Sequence, residues 1–141
     1  MIVDASLVID AVADAGPPGR AARAALAALP AGEPLIAPGH FAFEILSGLN
    51  AAARRPGHPL TPDLVDQALE DAAALGIEME ATPWSDVRRA WELAQGSLRF
   101  ADAVYVAAAE RHGQALLTAD ARIERSGAAL RCRVVTLTPG E

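Results

Sequence analysis

The chain has 141 residues, of which 52% are hydrophobic and 21% charged, a composition typical of one folded domain rather than of a disordered protein. Its net charge of −6 argues against a protein that coats nucleic acid through charge alone. A single cysteine, Cys132, permits no internal disulfide, and no charged leader or apolar run of about 18 residues is present. We therefore expect a single cytoplasmic domain over residues 1–141, with no membrane association.

Short apolar runs alternate with helical patterns along the whole chain. Strands are predicted at 1–3, 35–37, 77–80, 115–118 and 133–137. Helices are predicted around 7–12 and at 20–29, 40–55, 62–75, 82–95, 102–112 and 121–125. Alternating strands and helices of these lengths indicate an α/β fold, in which helices cover both faces of a parallel sheet.

Two local patterns lead to further expectations about the connections and the surface. The Gly-Pro-Pro-Gly stretch at 16–19 is predicted to break the chain, and the proline-rich stretch 54–62 is predicted to be its flexible excursion. Trp84 and Trp91 lie one heptad apart on a predicted helix. We expect them to pack against the core or a partner rather than to stack on bases.

Three aspartates occupy comparable places at the ends of predicted elements. Asp4 follows the first strand, Asp120 follows the fourth strand, and Asp102 lies where a helix begins. In open α/β sheets, functional sites form outside the carboxyl ends of the strands, where the strand order reverses. A carboxylate near a helix start can instead cap free backbone N–H groups. These positions are therefore compatible with two interpretations: the three aspartates form one shared site, or each one caps a separate helix.

A fourth acid, Glu44, lies within an apolar helical run, with Phe41 to Phe43 before it and Ile45 and Leu46 after it. Most helical glutamates are simply solvated, which favours the exposed stripe of an amphipathic helix. Apolar neighbours on both sides leave little room for such a stripe, which favours a polar pocket instead. Both interpretations stand on this evidence.

Four carboxylates within reach of one another repel, so such a cluster requires a cation among them. Oxygen ligands without nearby His or Cys suit a hard ion such as Mg²⁺ or Mn²⁺. The histidines, at positions 40, 58 and 112, do not have the spacing of a zinc site. If the acids do meet, the sequence therefore indicates a magnesium or manganese site.

Four segments agree in order, residue type and spacing with one known family. They are MIVDAS at 1–6, Pro38 followed by Glu44 in an apolar helix, ADAVYVA at 101–107, and LTAD at 117–120. The chain resembles the PIN-domain ribonucleases, and most closely the VapC-type toxins of bacterial toxin–antitoxin pairs. The resemblance implies a three-layer α/β/α sandwich around a five-stranded parallel sheet. It also implies Mg²⁺- or Mn²⁺-dependent RNA cleavage, a homodimer, and inhibition by a cognate VapB-type antitoxin.

The same resemblance assigns roles to individual side chains. The acidic positions of the family map onto Asp4, Glu44, Asp102 and Asp120. These four are expected to be catalytic and to hold the metal, with Glu44 acting either as a ligand or as the group that orients the attacking water. Ser6 and Thr118 match hydroxyl positions beside the acids. Independently of the resemblance, Arg99 is the best candidate for a phosphate contact, because it lies just before Asp102 and a guanidinium matches phosphate geometry. For any single arginine, a solvated position on the surface is the more common alternative.

Competing functions depend on residues that this chain lacks. All 12 basic residues are arginine, whereas phosphoaspartate receivers and haloacid-dehalogenase-type phosphatases both rely on a lysine in the site. The phosphatases would also place an acid at position 6, where this chain has Ser6. The remaining alternative is a PIN-like module that binds RNA or a protein without cutting. The presence of all four acids counts against it.

Overall fold

A computed structural model of the chain describes residues 1–139. The strands are β1 (Ile2–Val3), β2 (Ile36–Pro38), β3 (Glu78–Glu80), β4 (Leu116–Thr118) and β5 (Val134–Thr136). The helices are α1 (Ala5–Ala13), α2 (Pro17–Ala27), α3 (Phe41–Ala53), α4 (Val65–Ala74), α5 (Trp84–Leu93), α6 (Phe100–His112) and α7 (Arg122–Arg125). Residues 140 and 141, the end of the predicted domain, lie outside the described part of the chain.

All five strands are parallel and lie in the order β3-β2-β1-β4-β5. Ile2 of the central strand pairs with Ile36 on one side and Leu116 on the other. Strands β1 and β4 are entirely buried, as expected for central strands of a sheet covered on both faces. From β1 the chain first adds β2 and β3 on one side of the sheet, and then adds β4 and β5 on the other side. The strand order therefore reverses between β1 and β4.

The helices form two groups, one for each face of the sheet. Helices α1 to α4 pack against one another, whereas α5 packs along α6 and α6 crosses β1, β2 and β4. Right-handed crossovers from β1 to β2 and from β3 to β4 run in opposite directions along the sheet, which places these two groups on opposite faces. The predicted three-layer α/β/α sandwich with a five-stranded parallel sheet is confirmed.

The predicted break at residues 16–19 is wrong in part, because α2 already begins at Pro17. Proline suits the first turn of a helix, where its missing N–H is not needed. Gly19 then allows α2 to turn back closely on α1, since a Cβ atom at this position would lie 1.7 Å from the Asp14 carbonyl oxygen. The residues that interrupt one helix therefore also start the next.

The expectation that Trp84 and Trp91 pack against the core is also wrong. Their exposed fractions are 82% and 61%. Trp91 instead stacks on Phe100, with ring centroids 6.2 Å apart and ring planes 7° from parallel. The other half of that expectation, a protein partner for these side chains, stays a prediction.

Within residues 1–139, helices are too short or too polar for any of them to cross a membrane.

Candidate active site

The four acids selected from the sequence line one cleft of about 440 Å³ at the carboxyl ends of β1 and β4. Asp4 directly follows β1, Asp120 lies two residues after β4, Asp102 is in the first turn of α6, and Glu44 is in the first turn of α3. This is the point where the strand order reverses, the usual place for a site in an open α/β sheet.

Asp4 is held by two hydroxyl groups that also position the loop after β4. Ser6 Oγ and Thr118 Oγ1 donate hydrogen bonds of 2.8 and 2.6 Å to the same oxygen, Asp4 Oδ2. Each hydroxyl in turn accepts a backbone N–H, from Ala119 at 3.2 Å and from Asp120 at 3.0 Å. A hydroxyl carries one proton, so the 3.2 Å contact between Ser6 Oγ and Thr118 Oγ1 adds no further donated bond. The hydroxyls therefore link the position of Asp4 to that of Asp120.

Burial makes Asp4 an unusual carboxylate, with only 4% of its surface exposed. Burial raises the pKa of Asp4, and the negative charges of Asp102 and Glu44 raise it further. The hydrogen bonds from Thr118 and Ser6 lower the pKa but do not cancel the effect of burial. The ionised form of Asp4 is thus destabilised in the cleft, and a cation there would relieve this.

Asp102, which is also buried, is paired with the arginine three residues before it. Arg99 Nε donates to Asp102 Oδ2 at 2.9 Å, and a terminal nitrogen of Arg99 donates to Oδ1 at 3.1 Å. No backbone N–H within residues 1–139 donates to the Asp102 carboxylate, whose two oxygens both bond Arg99. A capping bond from Asp102 is therefore not observed, although the acid lies in the first turn of the helix.

Asp120 is paired with Arg122 in a similar way. Arg122 Nε lies 2.9 Å from Asp120 Oδ1, and a terminal nitrogen of Arg122 lies 2.6 Å from Oδ2. These bonds hold the pKa of Asp120 below its usual value, against the opposing effect of burial. Asp120 Oδ1 also accepts the Arg122 backbone N–H at 2.9 Å, a local bond at the start of α7. For Asp120, a capping-type contact and membership of the cleft therefore coexist.

Glu44 points into the cleft rather than along an exposed stripe, with 26% of its side chain exposed. Its Oε1 atom lies 3.3 Å from His40 Nε2. That nitrogen is 3.1 Å from the Ala101 carbonyl oxygen, to which it can donate. Glu44 Oε1 is buried and has no hydrogen-bond partner among residues 1–139. The structure thus favours the polar-pocket interpretation of Glu44.

Tyr105 is fully buried and packs beside His40. Its ring lies 4.7 Å from the His40 ring, and its buried hydroxyl has no hydrogen-bond partner within residues 1–139. Burial raises the pKa of Tyr105 far above its usual value, and the charges of Glu44 and Asp4 raise it further. The phenol is therefore neutral.

The donor chemistry of the cleft fits a hard divalent cation, but the side chains do not yet surround one. Among residues 1–139, no three acidic, His or Cys side chains converge as metal ligands. All four acids supply carboxylate oxygens, the ligands that Mg²⁺ prefers. Glu44 Oε1 lacks a partner, and both hydroxyl bonds to Asp4 end on Oδ2. To bind the ion, Asp102 would have to lose its ion pair with Arg99, and Asp120 its ion pair with Arg122.

Four acids and two arginines, Arg99 and Arg122, line the cleft. The cleft therefore carries a net charge of −2 when all six groups are ionised. The sequence indicated that a cation must lie among the acids, and in this structure arginine side chains take that place. Arg99 lies in the cleft as predicted, but its guanidinium is bonded to Asp102.

Sequence reasoning missed three side chains of this region: Arg122, His40 and Phe43. Arg122 follows Asp120 by two residues, a spacing typical of local ion pairs in turns, and this was the available signal. His40 precedes Glu44 by one helical turn, which was also visible in the sequence. The position of Phe43 on the rim of the cleft had no signal, because it depends on how α3 packs against α1.

The chain is similar in sequence to one known family. A profile of the PIN domain matches residues 1–128. Ribonuclease VapC3 of Mycobacterium tuberculosis is 36% identical to the chain over 126 residues, which cover 89% of this chain and 86% of the relative.

Three solved structures share the fold at low sequence identity. VapC20 of Mycobacterium tuberculosis, a toxin that cleaves the sarcin–ricin loop, has a TM-score of 0.66 and 21% identity, covering 91% of this chain and 95% of that one. A toxin–antitoxin complex from Klebsiella pneumoniae has a TM-score of 0.67 and 22% identity, covering 99% of this chain and 98% of that one. VapBC2 of Rickettsia felis, bound to a DNA fragment of its promoter, has a TM-score of 0.71 and 10% identity, covering 97% of this chain and 98% of that one. At these identities the likeness is evidence of the fold alone.

Proposed function

Because this chain belongs to the PIN-domain family, we propose that it is a single PIN domain over residues 1–141 that cleaves RNA as the toxin of a toxin–antitoxin pair. The observation that carries the proposal is the meeting of Asp4, Glu44, Asp102 and Asp120 in one cleft at the reversal of the strand order. The relative at 36% identity is named a ribonuclease, which supports RNA as the substrate.

We propose that the reaction depends on Mg²⁺ or Mn²⁺, held by Asp4, Asp102 and Asp120. When bound, such an ion lowers the pKa of a coordinated water and neutralises charge on the phosphate. Asp4 is the fixed member of this set, because Ser6 and Thr118 hold its carboxylate in place. Asp102 and Asp120 become available as ligands when Arg99 and Arg122 turn away from them.

Glu44 is the group best suited to orient the attacking water, since its buried Oε1 atom lacks a hydrogen-bond partner among residues 1–139. Hydrolysis adds this water across a P–O bond of the RNA backbone. Arg99 and Arg122, once released from Asp102 and Asp120, can bind phosphate oxygens through two parallel bonds. The two arginines would thus leave their carboxylate partners and bind the substrate phosphate instead, while the ion would take their place beside Asp102 and Asp120.

Two protein partners belong to the same proposal. Solved structures with this fold include toxin–antitoxin complexes, and a cleft of net negative charge favours an antitoxin tail that carries an arginine. A second copy of the chain, forming a homodimer, would cover the exposed side chains of Trp84 and Trp91. The protein would act in the cytoplasm, where its RNA substrate and its antitoxin are found.

The alternative is a catalytically silent module that binds RNA or a protein. Such a module gains nothing from burying Asp4 beside other acids, an arrangement that raises the pKa of Asp4 and costs stability. The presence of this arrangement therefore favours catalysis.

Growth of bacteria that express the chain without an antitoxin tests the proposal. The parent should arrest growth, and Asp4→Asn should relieve the arrest while leaving the fold intact. Asp66→Asn, which removes the same charge on the exposed face of α4, should remain as toxic as the parent. Equal toxicity of Asp4→Asn and the parent, at equal expression, would show that the cleft is not the cause.

A further inference from the structure

Part of the cleft is lined by uncharged residues. Four of them, from α1 and α3, form one wall: Ile9, Phe43, Ser47 and Gly48. Phe43 is 69% exposed, and it lies next to Glu44 in the sequence. Because Phe43 lines the cleft, its exposed ring is placed to contact a ligand that enters there.

Gly48 brings α3 close to Ile9 of α1. A Cβ atom at position 48 would lie 2.2 Å from Ile9 Cδ1, so a side chain there would push the end of the Ile9 side chain aside. Ser47, one helical turn after Phe43, is also small and exposed. On the cleft side, the residue four positions after Phe43 is therefore small, and the Phe43 ring is accessible from the cleft.

We propose that Phe43 stacks on one unpaired nucleobase of the RNA, while the neighbouring phosphate lies among the charged side chains of the cleft. This rests on the proposed function and adds a base-binding residue, Phe43, beside the four acids. Every base has a flat π surface, and an exposed aromatic ring binds it without regard to sequence. A base within a duplex has both faces covered by its neighbours, so it cannot reach the ring without leaving the helix.

The continuity of the cleft favours a nucleobase over a protein side chain as the occupant. Phe43 lines the same cleft as the four acids, so a ligand with its phosphate at the acids brings its own base to this wall. The volume of about 440 Å³ lies in the range of pockets that hold small ligands. The other exposed aromatic pair, Trp91 and Phe100, differs because the two rings already stack on each other and neither lines the cleft.

The test compares variants of Phe43 with a matched control on the same helix. Phe43→Ala and Phe43→Leu remove the ring, Phe43→Trp keeps a ring, and Leu46→Ala removes an apolar side chain that is 48% exposed but does not line the cleft. The probe is a fluorescein-labelled single-stranded RNA of mixed sequence, studied by anisotropy in Ca²⁺ under conditions where gels show the RNA intact. A second RNA carries 2-aminopurine, whose fluorescence falls when it stacks on an aromatic ring.

We expect Phe43→Ala and Phe43→Leu to weaken RNA binding by at least about fivefold, the lower limit for loss of one base-stacking contact. Phe43→Trp should restore binding and the quenching of 2-aminopurine, Leu46→Ala should match the parent, and annealing the RNA to its complement should weaken parent binding. Equal binding by Phe43→Ala and Leu46→Ala, or full binding by Phe43→Leu, would overturn the stacking site.

Two further outcomes separate this inference from the function on which it rests. If the parent neither binds nor cleaves RNA, the proposed function fails and the stacking site with it. If the parent cleaves RNA and Phe43→Ala binds and cleaves equally well, only the stacking site fails. A change of oligomeric state in Phe43→Ala, absent in Leu46→Ala, would assign Phe43 to an interface between copies and overturn the inference.

Discussion

Thr118 and Thr136 are paired in register on the neighbouring strands β4 and β5, but their hydroxyl groups have opposite environments. Thr118 Oγ1 donates to Asp4 and accepts the backbone N–H of Asp120. Thr136 Oγ1 is buried and has no hydrogen-bond partner within residues 1–139. The same chemical group thus positions the cleft on one strand and is a buried, unsatisfied polar atom on the next.

Thr→Val substitutions at these two positions should have opposite effects on stability. Thr118→Val leaves the Asp120 N–H without its acceptor and removes a donor from Asp4, which should lower the free energy of unfolding by about 1–3 kcal/mol. Thr136→Val removes an unsatisfied hydroxyl, so it should be neutral or stabilise by up to about 1 kcal/mol. Urea denaturation of both variants measures the difference. An equal decrease in the free energy of unfolding for both variants would contradict the difference assigned to the two hydroxyl groups.

The arginines in the cleft should compete with the metal ion. Arg122→Gln frees Asp120 and removes a positive charge, so we expect Mn²⁺ to bind more tightly. The gain should be at most about fivefold, because Arg122 is largely exposed and exposed ion pairs are worth about 0–1 kcal/mol. Arg125→Gln, one turn further along α7, is the control for net charge. Titration calorimetry measures both, and weaker Mn²⁺ binding by Arg122→Gln than by Arg125→Gln would refute the competition.

Asp4 should respond to metal more than any acid outside the cleft. In EDTA at neutral pH, Asp4→Asn should raise the Tm, because it removes a buried charge whose pKa is raised and keeps an oxygen for the two hydroxyls. At about 100 times its Kd, Mn²⁺ should stabilise the parent by about 2.7 kcal/mol and the variant much less. Thermal melts with EDTA and with Mn²⁺ provide the measurement. The same metal-induced shift in both proteins would remove Asp4 from the site.

A second ion-pair network, away from the cleft, should govern stability in acid. Burial raises the pKa of Glu80, but hydrogen bonds from His112 and Arg111 outweigh it and hold the pKa below its usual value of 4.5. Below pH 4.5 the folded state therefore binds fewer protons than the unfolded state, so this stabilisation is complete above that value and is lost as the pH falls through the folded pKa. As the pH falls from about 5 to 3, the Tm of the parent should therefore decrease more steeply than the Tm of Glu80→Gln.

The control for this prediction is Glu78→Gln, two residues earlier on the same edge strand, where the side chain is exposed. Its Tm should follow the parent over the whole pH range. If Glu80→Gln also follows the parent, the Glu80 network does not contribute to acid sensitivity.

Much of the site could be predicted from the sequence, because sites in open α/β sheets form at the carboxyl ends of the strands. Asp4 and Asp120 follow buried apolar runs, and parallel strands bring their carboxyl ends to one edge of the sheet. The arginine pairs had a signal in the short spacings of Arg99 from Asp102 and of Arg122 from Asp120, but whether the side chains pair depends on their conformations and on the path of the loop after β4. The early start of α2 was missed because Pro17 is compatible with both a break and a first helical turn. The exposure of Trp84 depends on which face of α5 contacts α6, which the heptad spacing alone does not determine.

The most direct test of the metal-dependent ribonuclease is cleavage of a labelled single-stranded RNA by the purified chain. The parent should cut the RNA in Mg²⁺ or Mn²⁺ and not in EDTA, and Asp4→Asn should reduce the rate by at least about 100-fold, on the scale of losing one essential electrostatic contact. Asp66→Asn should cleave like the parent. Cleavage that persists in EDTA, or an Asp4→Asn variant as active as the parent, would contradict a carboxylate-held metal site.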